Sequence, residues 1–276
     1  MNELLREWND NAAAWREHKA TIRTIFAPLT AAIIVDAHIA TGQSVLDVAG
    51  GPGEPSLTIA DHVGPTGSVT CTDAVAAMVA TAEEEAKRRG LTNVRFRQCL
   101  ADTLPFADDS FDAAVSRMGV MFFPDTLAAL REILRVIKPK GALCFVVWGP
   151  SELNPFTSSV TKVMSRHVPM PPGEPDAPGA FRFSESGKLA RLLSQAGAAN
   201  VRERELNFRI EAPISREEYW RLRSSTSVTL QEKLAALPDA QRQQIATEVL
   251  EAVGEFFPEN QMSFPAQVLV ISAQKP

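Results

Sequence analysis

Gly50, Gly51 and Gly53 follow directly on the apolar run Val45–Ala49, in which Asp47 is the only charged residue, and Pro52, Glu54 and Pro55 are interleaved with them. Glycines let a ligand lie against the main chain, so this turn is a candidate cofactor site. Two ligands commonly use such a turn, a dinucleotide and S-adenosylmethionine. The dinucleotide form reads G-x-G-x-x-G/A and aims free N–H groups at a pyrophosphate. Here the corresponding residues are Gly51, Gly53 and Ser56; Glu54 puts a negative charge where the pyrophosphate would sit, and each proline removes a donor. A sulfonium cofactor with an amino group and no phosphate tolerates or uses the acids Asp47 and Glu54. The local chemistry favours S-adenosylmethionine.

Such a turn needs a strand before it and a helix after it, and the stretch from about Val45 to Trp148 alternates the two as an α/β domain does. Strands are expected at Val45–Ala49, Ser68–Thr72 ending at Asp73, Val94–Gln98 leading into Ala101-Asp102, Phe111–Ser116 and Ala142–Trp148. Between them fall a helix Val75–Arg89 closed by Gly90, and a helix from Pro124-Asp125 carrying Leu127, Leu130, Leu134 and Ile137, ended by the turn KPKG. Right-handed crossovers between parallel strands place Asp47, Asp73, Asp102 and Ser116 along one sheet edge. Pro150–Phe183 is rich in proline and glycine and is expected to be long and irregular. Ser184–Gln195 reads as an amphipathic helix, Val201–Glu211 and Gln267–Ala273 as strands, and the helical insert between those strands as a lid, with Ile245, Val249, Val253 and Phe256 as its apolar stripe. Before residue 40 the chain should be helical, with Trp8 and Trp15 on one face. Trp15 is a candidate for closing over the cofactor, with packing as the competing reading.

At 276 residues and 45% hydrophobic content the chain can bury one large core or a core plus an appendage. A net charge of −5 without a basic tract argues against a nucleic-acid partner. No apolar run reaches the roughly 20 residues a membrane helix requires, and a cytoplasmic protein is expected. Cys71, Cys99 and Cys144 lack C-x-x-C spacing and read as free thiols; the four histidines are scattered, and no metal is expected.

With these residues assembled, the chain resembles the class I S-adenosylmethionine-dependent methyltransferases, and within them the ubiquinone/menaquinone-biosynthesis group. The resemblance runs through VLDVAGGPGEPSL, VTCTDAVAAMV, CLADTLPFADDSFDAAVSRMGVMFFPD and LREILRVIKPKGAL. It implies an α/β fold: a Rossmann-like, seven-stranded, mostly parallel sheet with an antiparallel last strand, helices on both faces and a helical lid insert. The expected organisation is a helical cap at 1–42, a cofactor-binding core at 43–149, and completion of the sheet at 150–276 with a substrate lid at 150–183 and 213–258. The family's D/E-x-G-x-G-x-G motif falls on Asp47, Ala49, Gly51 and Gly53, with alanine in place of the first glycine and Gly50 beside it. By the same resemblance Asp73 would hold the ribose hydroxyls, Ala74 and Met78 would line the adenine, Ala101 and Asp102 would meet its edge, and Ser116 and Met118 would flank the methionine portion. Asp73 as a helix cap, Asp102 as a turn former and Asp47 as a cap of turn amides are the competing structural readings.

Methyl transfer from a sulfonium is an in-line displacement that depends mostly on alignment. No general base stands out; His18, His167 and Tyr219 are the candidates, and the catalytic residues stay open. Arg117 could face the substrate pocket or pair with an acid such as Asp125. Phe122, Phe123, Phe156, Phe181 and Trp148 suit a small apolar or aromatic methyl acceptor. A silent S-adenosylmethionine-binding protein and a dinucleotide-dependent reductase are the alternatives, the latter disfavoured by the lack of a Tyr-x-x-x-Lys pair.

Overall fold

The computed structural model describes residues 3–169 and 176–276, apart from the side chains of residues 3, 4 and 228. In chain order the elements are α1 (Glu3–Glu17), α2 (Lys19–Ile25), α3 (Ala27–Asp36), β1 (Ser44–Val48), α4 (Ser56–Val63), β2 (Ser68–Asp73), α5 (Ala76–Arg88), β3 (Val94–Gln98) and β4 (Phe111–Arg117). There follow α6 (Thr126–Val136), β5 (Ile137–Trp148), α7 (Pro155–His167), α8 (Lys188–Ala196), β6 (Ala199–Ala212), α9 (Arg216–Thr226), α10 (Val228–Ala235), α11 (Asp239–Ala252) and β7 (Met262–Gln274).

The strands form one seven-stranded sheet in the order β3-β2-β1-β4-β5-β7-β6. β1 through β5 pair in parallel, and β7 lies antiparallel to β5, with Val146 opposite Val270. In register, Asp47 stands beside Cys71 and Val115, so β1, β2 and β4 end level. Their interiors carry continuous apolar runs, Val45-Leu46, Ala113–Val115 and Leu143–Val147, all fully buried. Parallel strands covered on both faces read this way.

The chain divides into two units. A sheet unit comprises Ala27–Gly149, Asp176–Leu206 and Val268–Pro276; a helical unit comprises the described residues of Met1–Phe26, Pro150–Pro175 and Asn207–Gln267. In the helical unit Tyr219, Phe156, Phe257 and Phe264 form an aromatic cluster with centroid separations of 5.0 to 5.8 Å. Ile245, Val249 and Val253 are fully buried, as their helical spacing requires, and Trp8 and Trp15 touch with centroids 5.8 Å apart.

Three local expectations need correction. Pro150–Phe183 is not irregular throughout: α7 occupies Pro155–His167, because Phe156, Val160, Val163 and Met164 make a buried helical stripe and Pro155 sits in the first turn, where proline is compatible with a helix. Residues 170–175 of that segment lie outside the described residues. KPKG is no helix-ending turn. It is a bulged part of β5, with Lys140 at φ +64° and a register shift against β4. α8 starts at Lys188, after Gly187 at φ +78°, since Glu203 accepts from Ser186 Oγ and Gly187 N and fixes the preceding turn.

Candidate functional site

Asp47 is fully buried at the end of β1, and its Oδ2 accepts from Ser56 N at 3.0 Å and Ser56 Oγ at 2.5 Å. These bonds tie the strand end to the first residue of α4 and so fix the turn between them. Its Oδ1 is buried with no partner. Burial pushes the carboxyl up to about 7, against the Ser56 hydrogen bonds and the Arg117 charge.

Ala49, Gly51 and Gly53 all take positive φ, +59°, +54° and +114°. The alanine in the first glycine position therefore adopts a conformation that disfavours a Cβ. A Cβ added at Gly51 would meet nothing within 4 Å, so that side of the turn is open. One added at Gly50 would strike Asp47 Oδ2 and Cys71 Sγ, each at 2.7 Å.

Asp73 closes β2. Its Oδ2 accepts from Gly51 N and its Oδ1 from Val75 N, both at 2.9 Å, so the carboxylate bridges the glycine turn and the approach to α5. Burial raises it to about 6 although the Val75, Gly51 and Ala74 amides favour the ion. It is not the cap residue of α5, a position Val75 holds; it orders the turn before that helix. Met78 is buried on the first turns of α5 while Ala74 is half-buried. Beyond β3, Cys99 N donates to Asp73 O at 3.0 Å, and the half-buried Ala101 and Asp102 follow, Asp102 accepting from Thr103 Oγ1.

At the end of β4, Ser116 is fully buried with an unpartnered Oγ, and Met118 is half-buried at φ +61°. Gly119 lies against both neighbours: an added Cβ would stand 2.6 Å from Ala49 Cβ and 2.8 Å from Ser116 Oγ. Of these residues of the sheet unit, Asp47, Gly50, Met78 and Ser116 are buried, and Ala49, Gly51, Asp73, Ala74, Ala101, Asp102 and Met118 are half-buried. Trp15 belongs to the helical unit, where its Nε1 donates to Thr226 O at 3.2 Å.

Several partners were not legible from spacing. Glu54 does not offer its charge to a ligand: its carboxylate takes Arg89 at 2.8 Å and Thr58 Oγ1 at 2.7 Å. Arg117 does not reach Asp125, which caps α6 by accepting from Ala128 N. Buried under the turn, Arg117 donates to Thr30 Oγ1 at 2.9 Å and Glu54 O at 3.1 Å; burial lowers its pKa, while Glu54 and Asp47 oppose that. Tyr219 is unfit as a base, since its hydroxyl donates to Phe156 O at 2.7 Å and burial drives its pKa well up. His167 Nε2 is engaged by Glu248 at 2.9 Å. Phe156 belongs to the aromatic core of the helical unit. Among the described residues no cluster of three or more His, Cys, Asp or Glu could hold a metal, and no helix is long and apolar enough to cross a membrane.

Residues 29–171 match the model of the ubiE/COQ5 methyltransferase family. An uncharacterized protein of Mycobacterium bovis is 40% identical over 124 residues, 45% of this chain and 44% of that protein, so the match spans under half the length of that relative. The ubiquinone/menaquinone biosynthesis C-methyltransferase UbiE of Cupriavidus metallidurans is 31% identical over 181 residues, 61% of this chain and 72% of that protein. Among solved structures, the YcgJ protein of Bacillus subtilis aligns with a TM-score of 0.58 at 25% identity, covering 89% of this chain and 97% of that one.

Proposed function

The chain belongs to the ubiE/COQ5 methyltransferase family, and from that premise we propose that it moves the methyl group of S-adenosylmethionine to a small, apolar or aromatic acceptor. The observation that carries the reading is the pair of orphaned buried oxygens, Asp47 Oδ1 and Ser116 Oγ, at the strand ends beside an open glycine turn. A polar group buried without a partner is costly, and a ligand with an amino and a carboxylate end supplies what both lack. Asp73 fits a ribose: its carboxylate takes the Gly51 and Val75 amides on different oxygens, and its two oxygens together have lone pairs beyond those for the ribose hydroxyls. Ala74, Met78, Ala101 and Asp102 are then the adenine side, Asp102 accepting from the exocyclic amine.

The cofactor supplies an electrophilic methyl on a sulfonium, which leaves as a neutral thioether. The chain's part is to align donor and acceptor and exclude water, effects that can lower a barrier by about 7–11 kcal/mol without a general base. Calorimetry with S-adenosylmethionine, S-adenosylhomocysteine and NADH tests the reading. Binding of the first two and not the third is expected. Asp73→Ala should weaken it 10-fold or more, the loss of charged hydrogen bonds worth about 1.5–3 kcal/mol each. Indifference of the native protein to both sulfur ligands would overturn the reading; tight binding without labelled-methyl transfer to any phenol, quinol or amine would favour a silent binder.

A further inference from the structure

The turn after β1 touches α5 at more than one point. A Cβ added at Gly53 would lie 3.3 Å from Ala82 Cα, so the turn runs against the helix backbone. Directly after Gly53, the Glu54 carboxylate accepts from Arg89 Nη2 at 2.8 Å, and Arg89 Nε donates to Glu85 Oε1 at 2.9 Å. Water hardly reaches this trio: the side chains of Arg89, Glu54 and Glu85 are 16%, 8% and 5% exposed. An exposed pair of this kind would hold little, whereas one screened from water is strong, and loss of one partner leaves an uncompensated charge. The Glu54 carbonyl is held as well, by Arg117 at 3.1 Å, and Arg117 is itself bonded to Thr30 of α3. Glu54 is thus fixed by one arginine on its side chain and by another on its main chain. Along α5 and its cap, Met78, Ala82, Glu85 and Arg89 follow at steps of four, three and four residues and so share one helix face. That face carries the adenine-side Met78 at one end and the hold on Glu54 at the other.

We propose that Arg89 is a positioning residue for the cofactor: through Glu54 it sets the glycine turn against the face of α5, and with it the spacing between the two ends of the ligand. The amino-acid tail of the ligand meets the turn and the strand ends beside it, while the adenosyl end meets Asp73 and the start of α5. The inference rests on the cofactor reading and adds to it a residue that bonds acids of the chain and not the ligand. A main chain with positive φ at Ala49, Gly51 and Gly53 has many alternative conformations, so the place of the turn depends on what braces it from outside. A misplacement of about 1 Å can cost about 100-fold in a catalytic step. Arginine suits the task because its planar fork serves two carboxylates at once, Nη2 on Glu54 and Nε on Glu85, where a lysine offers one point charge. Glu85 lies four residues before Arg89, the favourable order for such a pair on a helix, and so steadies the fork.

Calorimetry on the full chain with S-adenosylhomocysteine and with 5′-methylthioadenosine, which lacks the amino-acid tail, tests the proposal. Arg89→Met should weaken S-adenosylhomocysteine about 5-fold or more and methylthioadenosine less than about 2-fold, because only the tail meets the turn. Arg89→Lys should recover part of the lost affinity. Glu54→Gln should weaken the same ligand selectively, and Glu54→Gln combined with Arg89→Met should bind no worse than Arg89→Met alone, since both act through one contact. The combined variant leaves no acid on the turn without its cation and carries the test should Arg89→Met fail to fold. Lys87→Met, which removes an exposed pair with Glu83 on the same helix, should alter neither ligand. Unchanged S-adenosylhomocysteine affinity in Arg89→Met would overturn the proposal. So would an equal loss for both ligands, the pattern of general loosening, or losses that add in the combined variant. A native protein that binds neither ligand would bring down the cofactor reading and this inference together, whereas native binding with indifferent variants removes the inference alone.

Discussion

Asp47 is a carboxyl group that the fold holds protonated to about pH 7, well above its ordinary 3.8. Its effect on stability has a definite sign. Between the unfolded and folded values the native state keeps a proton that the unfolded chain has released, so stability is fully present below about pH 4 and declines as pH rises through 7. Asp73, raised to about 6, acts in the same direction over a narrower window. Urea unfolding at pH 4.5 and 7.5 should therefore show the native protein losing stability from this pair as pH rises. Asp47→Asn should flatten that loss by a few kcal/mol, since each tenfold change in proton affinity is worth about 1.4 kcal/mol. An unchanged pH slope in the variant would sink the assignment. The acid itself was legible in the sequence as the charged residue of an apolar strand, whereas its partner was not. Ser56 stood out only as a residue that was not glycine, yet its hydroxyl and amide are what hold Asp47 Oδ2.

At the scale of elements, the turn after β1 and the turn after β4 are fitted to each other. Ala49 sits at φ +59°, and Gly119 approaches it so closely that an added methyl would lie 2.6 Å from Ala49 Cβ. Ala49→Gly alone should raise stability by up to about 1 kcal/mol by relieving left-handed strain. Gly119→Ala should cost about 1–3 kcal/mol by overpacking. Combined, the two should cost less than the sum, with a coupling above about 0.5 kcal/mol and a residual penalty from Ser116 Oγ. Thermal or urea melts of the four proteins check this, and strict additivity would show that the two turns do not press on each other. The positions of β1 to β5 along the chain, and the shared edge of their ends, could be read from apolar runs and turn residues, because those features are local, whereas the order of the strands in the sheet could not. The Ala49–Gly119 fit and the Glu54–Arg89 pair join residues far apart in the chain, which no spacing rule connects. α7 was missed because the prolines around it outweighed its buried stripe in the composition of the segment.

For the whole molecule, the sheet cannot be completed by the region that carries the cofactor residues. β7 pairs along β5 from Ala142 to Trp148, and β5 is fully buried from Leu143 to Val147. A fragment of residues 27–149 would keep the glycine turn and all three strand-end acids but leave that apolar edge unpaired, an invitation to intermolecular strand pairing. Light scattering and size-exclusion chromatography should find it aggregated where the full chain is not; a monodisperse, folded fragment would contradict the account. The same interleaving reaches beyond stability. The helical unit is drawn from three separate stretches of chain, while the sheet unit supplies the intervening ones. No single recombination event can exchange it between relatives as a block. Diversification of whatever the helical unit recognises must therefore proceed by point substitution and short insertion within those stretches, and inheritance of the cofactor half says little about inheritance of the other.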